Sequence, residues 1–202
     1  MSTLSTGFLG EVAHGRSQAE RYAADRVVQI NAATRAGIRA AVVKSFAEKI
    51  TPYRTARLIR SMIGLTDRGV TAVYNYRQSL IGKDFGPSKV EALVAKYAAK
   101  KIRERAMAIS RTEILGAINR GQLEEWRSAI KSEEMSDRSQ KEWMSTEDDR
   151  VCYICEPMDG IVVPMEEPFE TSVGELDGPP AHTQCRCAIA IADELAPRKT
   201  GR

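Results

Sequence analysis

The chain has few aromatic residues and no long apolar segment. Aromatic side chains make up 6% of its 202 residues, although hydrophobic residues reach 43%, enough for a core in one elongated domain or two small ones. Arg or Lys interrupts the most hydrophobic runs, so none matches the roughly 20 residues of a transmembrane helix, and the N-terminus lacks a signal peptide's apolar region. We therefore expect a soluble, globular protein in a reducing compartment.

Several catalytic motifs are also absent. The chain has no glycine-rich phosphate-binding loop and no dinucleotide fingerprint, so nucleotide hydrolysis lacks its phosphate cradle. It also lacks the His-x-Glu triplet of zinc deaminases. Two charged groupings, Asp148-Asp149 and Arg111-Thr-Glu113, are interpreted as turn caps and hydrogen-bonded braces because isolated charged pairs are weak evidence for catalysis. The sequence therefore predicts a protein that is not an enzyme.

Cysteine is scarce but concentrated. All four cysteines and one of the two histidines lie within 36 residues, in a Cys-x-x-Cys pair and a His-x-x-Cys-x-Cys cluster. The predicted ligands are four of five residues: Cys152, Cys155, His182, Cys185 and Cys187. Thiolates and an imidazole from two tight turns suit a closed tetrahedral site, so we predict structural zinc, with a disulfide or free thiols as alternatives. The spacing leaves open whether Cys185 or Cys187 is the fourth ligand.

The two halves of the chain differ in charge. Residues 1–110 hold 19 Lys and Arg against 8 Asp and Glu, a net charge of +11, whereas residues 111–202 hold 11 against 19, a net charge of −8. A basic half could face nucleic acid or an acidic protein surface, and an acidic half would be repelled by phosphate. Solvated helix faces are the plainer interpretation of the same charges.

Helical signals dominate the first half. An N-terminal arm over residues 1–16 precedes a basic helical domain over residues 17–110. A capping box at Ser17–Glu20 and a helical stripe predict a first helix to about Lys49, and Thr51-Pro52 and Thr66 start two further helices. The third of these should bury Val70, Val73, Tyr74 and Tyr76. A second capping box at Ser88–Glu91 predicts the start of the longest helix.

The second half changes character. Gly116 and Gly121 predict a bend or break in the long helix, because each glycine costs about 1 kcal/mol relative to alanine. Short β-prone runs at residues 142–145, 161–163 and 186–191 then predict a small antiparallel sheet. The expected fold class is α+β: long N-terminal helices followed by a small C-terminal module, over residues 111–195, with a short sheet and a zinc-knuckle-like Cys/His cluster. Residues 196–202 are predicted to form a tail.

Residues 55–78 also resemble a helix-turn-helix motif. Gly64 stands at the turn, but Arg60 occupies the position where two closely crossing helices need a small residue. A zinc-containing DNA-binding regulator that uses this segment is therefore the alternative function.

A longer resemblance covers the second half. The chain resembles phage Mu F-like minor head proteins, the phage head morphogenesis family, most specifically over residues 105–192, with similarity also over residues 63–77. The residues that carry it are Arg111-Thr-Glu113, Asn119-Arg-Gly121, Trp126, Lys141-Glu-Trp143, Asp148-Asp-Arg-Val-Cys152-Tyr-Ile-Cys155, Asp159-Gly160, Pro164, Phe169, Pro179-Pro-Ala-His182 and Cys185-Arg-Cys187. The chain departs from the family at His182-Thr-Gln-Cys185, where such proteins typically read His-Pro-x-Cys.

The resemblance implies a non-enzymatic minor capsid protein, present in few copies near the portal vertex of a tailed-phage virion and in the host cytoplasm during assembly. Its implied partner is the portal protein, in head assembly and in DNA packaging or ejection. Major capsid or scaffold proteins, and genomic DNA reached through the basic helical half, are further candidate partners. No membrane is implied.

Overall fold

The computed structural model describes residues 14–21, 30–146 and 148–192. Most of the predicted arm, part of the predicted first helix and the predicted tail lie outside these residues. The described part contains five helices: α1 over residues 14–21, α2 Ala32–Ala47, α3 Pro52–Ile59, α4 Asp67–Leu80 and α5 Pro87–Lys131. The strands are β1 Gln140–Met144, β2 Val162–Pro164, β3 Phe169–Thr171, β4 Gly174–Leu176 and β5 Ala188–Ala192. The predicted α+β class is confirmed.

Local capping chemistry sets several helix starts. Thr51 and Thr66 accept hydrogen bonds from the backbone N–H groups three residues on, as predicted, and begin α3 and α4. The predicted capping box at Ser17 is wrong because residues 14–16 are already helical. The box at Ser88 is also wrong, since Gly86 is the N-cap of α5 and Pro87 its first residue. Asn31 caps α2, so a continuous first helix to Lys49 is wrong too.

The α3–α4 segment is not arranged as a helix-turn-helix pair. Both helices have α5 as their main packing partner. In α4 only Leu80 is buried, whereas Val70 and Tyr74 are 55% and 59% exposed, which contradicts the predicted burial of that face. Tyr76 stacks on Tyr97 of α5 with ring centroids 4.5 Å apart. Each helix therefore packs on α5 more than on the other helix, which does not support DNA reading by a helix-turn-helix.

Helix α5 runs without a break through the region where we predicted a bend. Its two glycines are sites of close approach instead. A Cβ on Gly121 would lie 2.5 Å from the backbone nitrogen of Gly15 in α1, and one on Gly116 would lie 3.1 Å from Cδ of Pro180. The prediction was wrong because these glycines allow other segments of the chain to approach α5 closely. Helix propensity, which considers one residue at a time, does not show such an approach.

One helix serves two hydrophobic cores. Ala106, Ile109, Ile114 and Ala117 of α5 pack with α1, α2 and α3, whereas Leu123 packs into the C-terminal module around Trp143. The module's main sheet has the order β2-β1-β5, and both neighbouring pairs are antiparallel. Strands β3 and β4 form a separate hairpin that the sequence analysis did not predict. Within the described residues, no helix is both long and apolar enough to cross a membrane.

Candidate metal centre

Two tight turns carry the predicted ligands. In the first, the backbone N–H of Cys155 donates to the Cys152 carbonyl oxygen at 3.0 Å, and a 3-10 helix over Glu156–Met158 follows. In the second, the N–H of Cys185 donates to the His182 carbonyl oxygen at 3.2 Å, and Gln184 adopts a positive φ of 64°. Each turn directs two side chains to one side of the chain, which is the local requirement of a metal knuckle.

The structure brings all five predicted side chains together. The Nε2 atom of His182 lies 3.1 Å from Sγ of Cys152 and 3.2 Å from Sγ of Cys155. The Cys155 and Cys185 sulfurs are 3.8 Å apart. Two groups of donors, each mutually within 4.8 Å, share Cys155: one with Cys152 and His182, the other with Cys185 and Cys187. The cluster could hold a metal ion.

The orientation of the His182 ring suits a ligand. Its Nδ1 atom lies 2.9 Å from the Thr183 carbonyl oxygen. Because a carbonyl oxygen only accepts, Nδ1 must carry the proton, and in the neutral ring Nε2 then presents its lone pair to the sulfurs. A cavity of about 30 Å³ adjoins this atom, lined among others by Cys152, Cys155, His182 and Cys187. That volume matches one ion or one water molecule.

The thiols of the cluster affect one another's protonation. Burial is the main cause that raises the pKa of Cys155, to about 12. Hydrogen bonding between Cys185 and Cys187 lowers the pKa of Cys185 and raises that of Cys187. Sulfurs this close together cannot all be thiolates unless a cation lies among them. A divalent cation supplies the missing positive charge and deprotonates the thiols that bind it.

An ion pair joins the two turns from outside. The guanidinium of Arg186 donates to both oxygens of Asp148, at 2.5 and 2.6 Å, and Arg150 donates to the same carboxylate at 2.9 Å. The hydrogen bond from Arg186 is the main cause that holds the pKa of Asp148 well below its usual range. Asp148 also accepts from the backbone N–H of Arg150 at 3.1 Å, so it caps the turn before the first cysteine as predicted, whereas its pairing with Arg186 was not predicted.

Helix α5 supports the second turn through two residues that the sequence analysis did not single out as bracing. The Oγ1 atom of Thr112 accepts from the backbone N–H of Gln184 at 2.8 Å. The buried Asn119 donates from Nδ2 to the carbonyl oxygens of Pro179 and Cys187, at 3.2 Å each. Both residues stand in motifs that carry the family resemblance, Arg111-Thr-Glu113 and Asn119-Arg-Gly121, and this was the sequence signal for them.

A cleft of about 420 Å³ lies apart from the cluster. Buried Glu113 lines it together with Arg120 of the same helix, whereas Arg111 is exposed and does not line it. Arg111 and Glu113 therefore do not face one another as a catalytic pair would need to.

Comparison with known proteins gives one family. The family model described as phage Mu protein F like protein matches residues 86–190, just over half of the chain. No curated protein and no solved structure matches the chain. The matched segment contains the whole of α5, strands β1 to β4, the first three residues of β5 and the whole Cys/His cluster. The chain therefore belongs to the phage Mu protein F-like family and is a phage head morphogenesis protein.

Proposed function

We propose that residues 111–195 form a non-catalytic docking module through which this head protein joins the assembling virion. In this proposal a zinc ion, which we call the staple, links the two turns of the module. The observation that supports the proposal most directly is the convergence of four cysteine sulfurs and one imidazole from two separate turns. Three of these sulfurs and the imidazole would bind the ion. In a module whose strands are three to five residues long, a metal would supply cohesion that the small core lacks.

The donor set favours zinc over other metals. Sulfur and imidazole ligands in a compact site suit a tetrahedral zinc ion, whereas magnesium and calcium require oxygen ligands. In this proposal Cys152, Cys155 and His182 are three of the ligands. The fourth is Cys185, whose sulfur is in contact with that of Cys155, or Cys187, which lines the small cavity. The remaining thiol stays protonated in the core.

A structural role fits the surroundings of the cluster better than a catalytic one. Cys155, Cys185 and Cys187 are each only 3% exposed, so a fourth coordination position open to substrate is difficult to provide. The nearest acidic group that we singled out, Asp148, already accepts hydrogen bonds from two arginines and is held as a carboxylate. It is therefore poorly placed to act as a general base.

We propose the portal protein as the principal partner, with action near the portal vertex during head assembly. Major capsid or scaffold proteins and genomic DNA are the other candidate partners, the last through the basic helical half. Family membership and the charge difference between the two halves support this assignment. Roles in DNA packaging or ejection, and localisation in the host cytoplasm before assembly, belong to the same proposal.

Metal analysis tests the staple. Purified protein should contain about one zinc per chain, and Cys152→Ser and His182→Ala should each lose it. His14→Ala is the matched control, because His14 is the only other histidine and pairs with Glu125 outside the cluster. Comparing Cys185→Ser with Cys187→Ser identifies the fourth ligand, since only the true ligand's loss should abolish stoichiometric zinc. Full folding without metal would contradict the staple.

A pull-down with the portal subunit tests the partner. Wild-type protein should be retained on immobilised portal and should be present in purified virions, whereas zinc-free Cys152→Ser protein should bind less. Measuring affinity for duplex DNA at several salt concentrations checks the DNA contact, because phosphate contacts must weaken as salt rises. Binding to neither portal nor other head proteins would contradict the docking role.

A further inference from the structure

A depression on the helical half combines an apolar floor with unpaired cations. It has a volume of about 290 Å³ and lies between α3 and α5. Its floor consists of Ala56, Ala106 and Met107, and Tyr53 stands beside it with 65% of its surface exposed. Three exposed arginines, Arg57, Arg60 and Arg103, complete the lining. We call this surface the arginine groove.

The arginines of the groove are not neutralised by ion pairs, although Arg103 lies next to Glu104 and its charge helps to lower the pKa of that carboxyl. None of the three forms an ion pair with another residue in the described part of the chain. Three cations around an apolar floor repel one another, so the arrangement lowers stability unless an anionic group is brought to it. The groove therefore fits a partner that is apolar at its tip and acidic at its sides.

The β3–β4 hairpin has that complementary character. Its strands place Glu170 directly opposite Glu175, and both side chains are exposed. Like charges facing each other across two strands destabilise a hairpin, so this pair is not explained by the stability of the module. At the tip, Val173 is 52% exposed. The hairpin thus carries an apolar tip between two carboxylates that have no partner among the described residues.

The hairpin tip is ordered and projects from a firm base. The Oγ1 atom of Thr171 donates to the Gly174 carbonyl oxygen at 2.6 Å and accepts from the N–H of Val173 at 3.2 Å. At the base, Phe169 is fully buried and meets the ring of Trp143 edge-on, with centroids 5.3 Å apart. A preformed tip loses little entropy on docking.

We propose that the β3–β4 hairpin of one copy of this chain docks into the arginine groove of a second copy. The hairpin cannot reach the groove of its own chain: Arg127 of α5 contacts Asp177 at the end of the hairpin, and Arg103 of the groove lies 24 residues earlier, about 36 Å along the same helix. Val173 enters the apolar floor, and Glu170 and Glu175 meet the arginines.

The contact joins two different surfaces, so each copy keeps one free hairpin and one free groove. Such head-to-tail association builds a ring if its rotation closes and an open chain if it does not. A hairpin tip buries much less than a standard interface of about 1,600 Å². We therefore expect weak self-association, with a Kd on the order of 100 µM at low salt. The inference requires the folded module that carries the hairpin, but it does not depend on the portal protein.

Sedimentation velocity of the full-length chain tests the proposal. The weight-average sedimentation coefficient should rise with protein concentration at about 50 mM salt and should rise much less at about 500 mM, because exposed ion pairs are screened. Reversing the groove charges with Arg57→Glu, Arg60→Glu and Arg103→Glu should weaken self-association by at least about tenfold. Reversing the hairpin charges with Glu170→Lys and Glu175→Lys should do the same.

Mixing the two variants provides the decisive measurement. In the mixture, the reversed groove of one variant meets the reversed hairpin of the other. The unchanged hairpin of the first also meets the unchanged groove of the second, so the mixture should associate in a one-to-one ratio although neither variant self-associates. The matched control reverses three exposed cations outside the groove, Arg68, Lys83 and Arg138, and changes the net charge equally. This control should leave self-association unchanged within about twofold. Circular dichroism of each variant confirms folding.

Three results would overturn the inference. These are a monomer at all concentrations up to about 1 mM in low salt, self-association that survives reversal of the groove, and a mixture of the two variants that stays monomeric. If the control weakens association as much as the groove variant does, net charge and not the groove is responsible, and the inference is also wrong. Self-association that fails while zinc and portal binding persist leaves the proposed function intact.

Discussion

The helical half and the C-terminal module are stabilised in different ways although they share one helix. In the helical half, buried side chains such as Ile38, Val42 and Ile59 form an ordinary apolar core between helices. In the module, the core around Trp143 includes three of the four cysteines, and short strands surround it. The first region has an ordinary packed core, whereas the core of the second also contains thiols that could bind a metal ion.

The difference shows why the two regions suit different tasks. Helices that pack on α5 leave large hydrophobic side chains and exposed arginines such as Arg57 and Arg60 at the surface, which is tolerable because the core beneath does not depend on them. The module instead uses its polar residues internally: Asn119, Thr112 and Arg186 all brace the turn around His182. The first region offers surface for contacts, and the second offers a fixed shape.

Removing the metal should give the largest effect and should separate the regions completely. Chelation, or Cys155→Ser, should unfold the module, because the binding energy of structural zinc is itself folding energy, on the order of 10 kcal/mol. Both tryptophans, Trp126 and Trp143, pack in the module core. Tryptophan fluorescence should therefore shift to the red, while far-ultraviolet circular dichroism keeps most of its helical signal. Simultaneous loss of both signals would mean that the regions do not differ in this way.

Comparison of individual residues shows what the sequence could predict. Thr51 and Thr66 were correctly predicted as N-caps, because the side chain of an N-cap binds a backbone N–H only three residues later in the sequence. The Cys/His cluster could be predicted because its residue types are rare elsewhere in the chain. The ligand set could not, because it depends on the direction of each side chain, and Cys185 and Cys187 both point into the cluster.

Other predictions failed where contacts with residues distant in the sequence determine the local structure. The low helix propensity of Gly116 and Gly121 indicates a break in α5, but the two glycines instead allow close approach of Pro180 and Gly15, respectively. The exposed face of α4 has an apolar periodicity like that of a buried one, so sequence alone did not show that Val70 and Tyr74 face outward. The β3–β4 hairpin was missed because its strands are only three residues long and its facing residues are acidic.

Crowding the contact between α1 and α5 should give the second-largest effect, confined to the helical half. Gly121→Ala places a Cβ against the backbone of Gly15, so α1 must move. The cost of about 1 to 3 kcal/mol is partly offset by a helical gain of about 1 kcal/mol, and we expect a net loss of up to about 2 kcal/mol. Gly64→Ala is the control, because its Cβ would meet nothing within 4 Å. Thermal unfolding and hydrogen exchange of residues 14–21 measure the difference. A stabilised Gly121→Ala protein would show that the approach is looser than described.

Cutting the bracing hydrogen bonds between α5 and the module should cost slightly less. Asn119→Ala removes the donor to two carbonyl oxygens and leaves both buried, so we expect a loss of about 1 to 2 kcal/mol in the module transition. Asn75→Ala is the control, because Asn75 is exposed on α4. Denaturant unfolding followed by tryptophan fluorescence measures the change. Equal effects of the two substitutions would show that α5 does not brace the Cys/His turn through Asn119.

Per pH unit, the smallest effect should be a pH dependence that belongs to the module alone. Lys141 is fully buried, and desolvation lowers its pKa to about 8 from an unfolded value of 10.5. Between these two values the unfolded chain binds more protons than the folded one, so stability should rise as pH rises from 8 to 10.5, by at most about 1.4 kcal/mol per pH unit. Lys141→Met should remove this slope. Because other groups titrate in the same range, the measured quantity is the difference between wild type and variant, followed by tryptophan fluorescence. A difference that falls with pH, or stays flat, would mean that the donation from Nζ to the Asp177 carbonyl oxygen at 3.0 Å compensates for burial of the ammonium group.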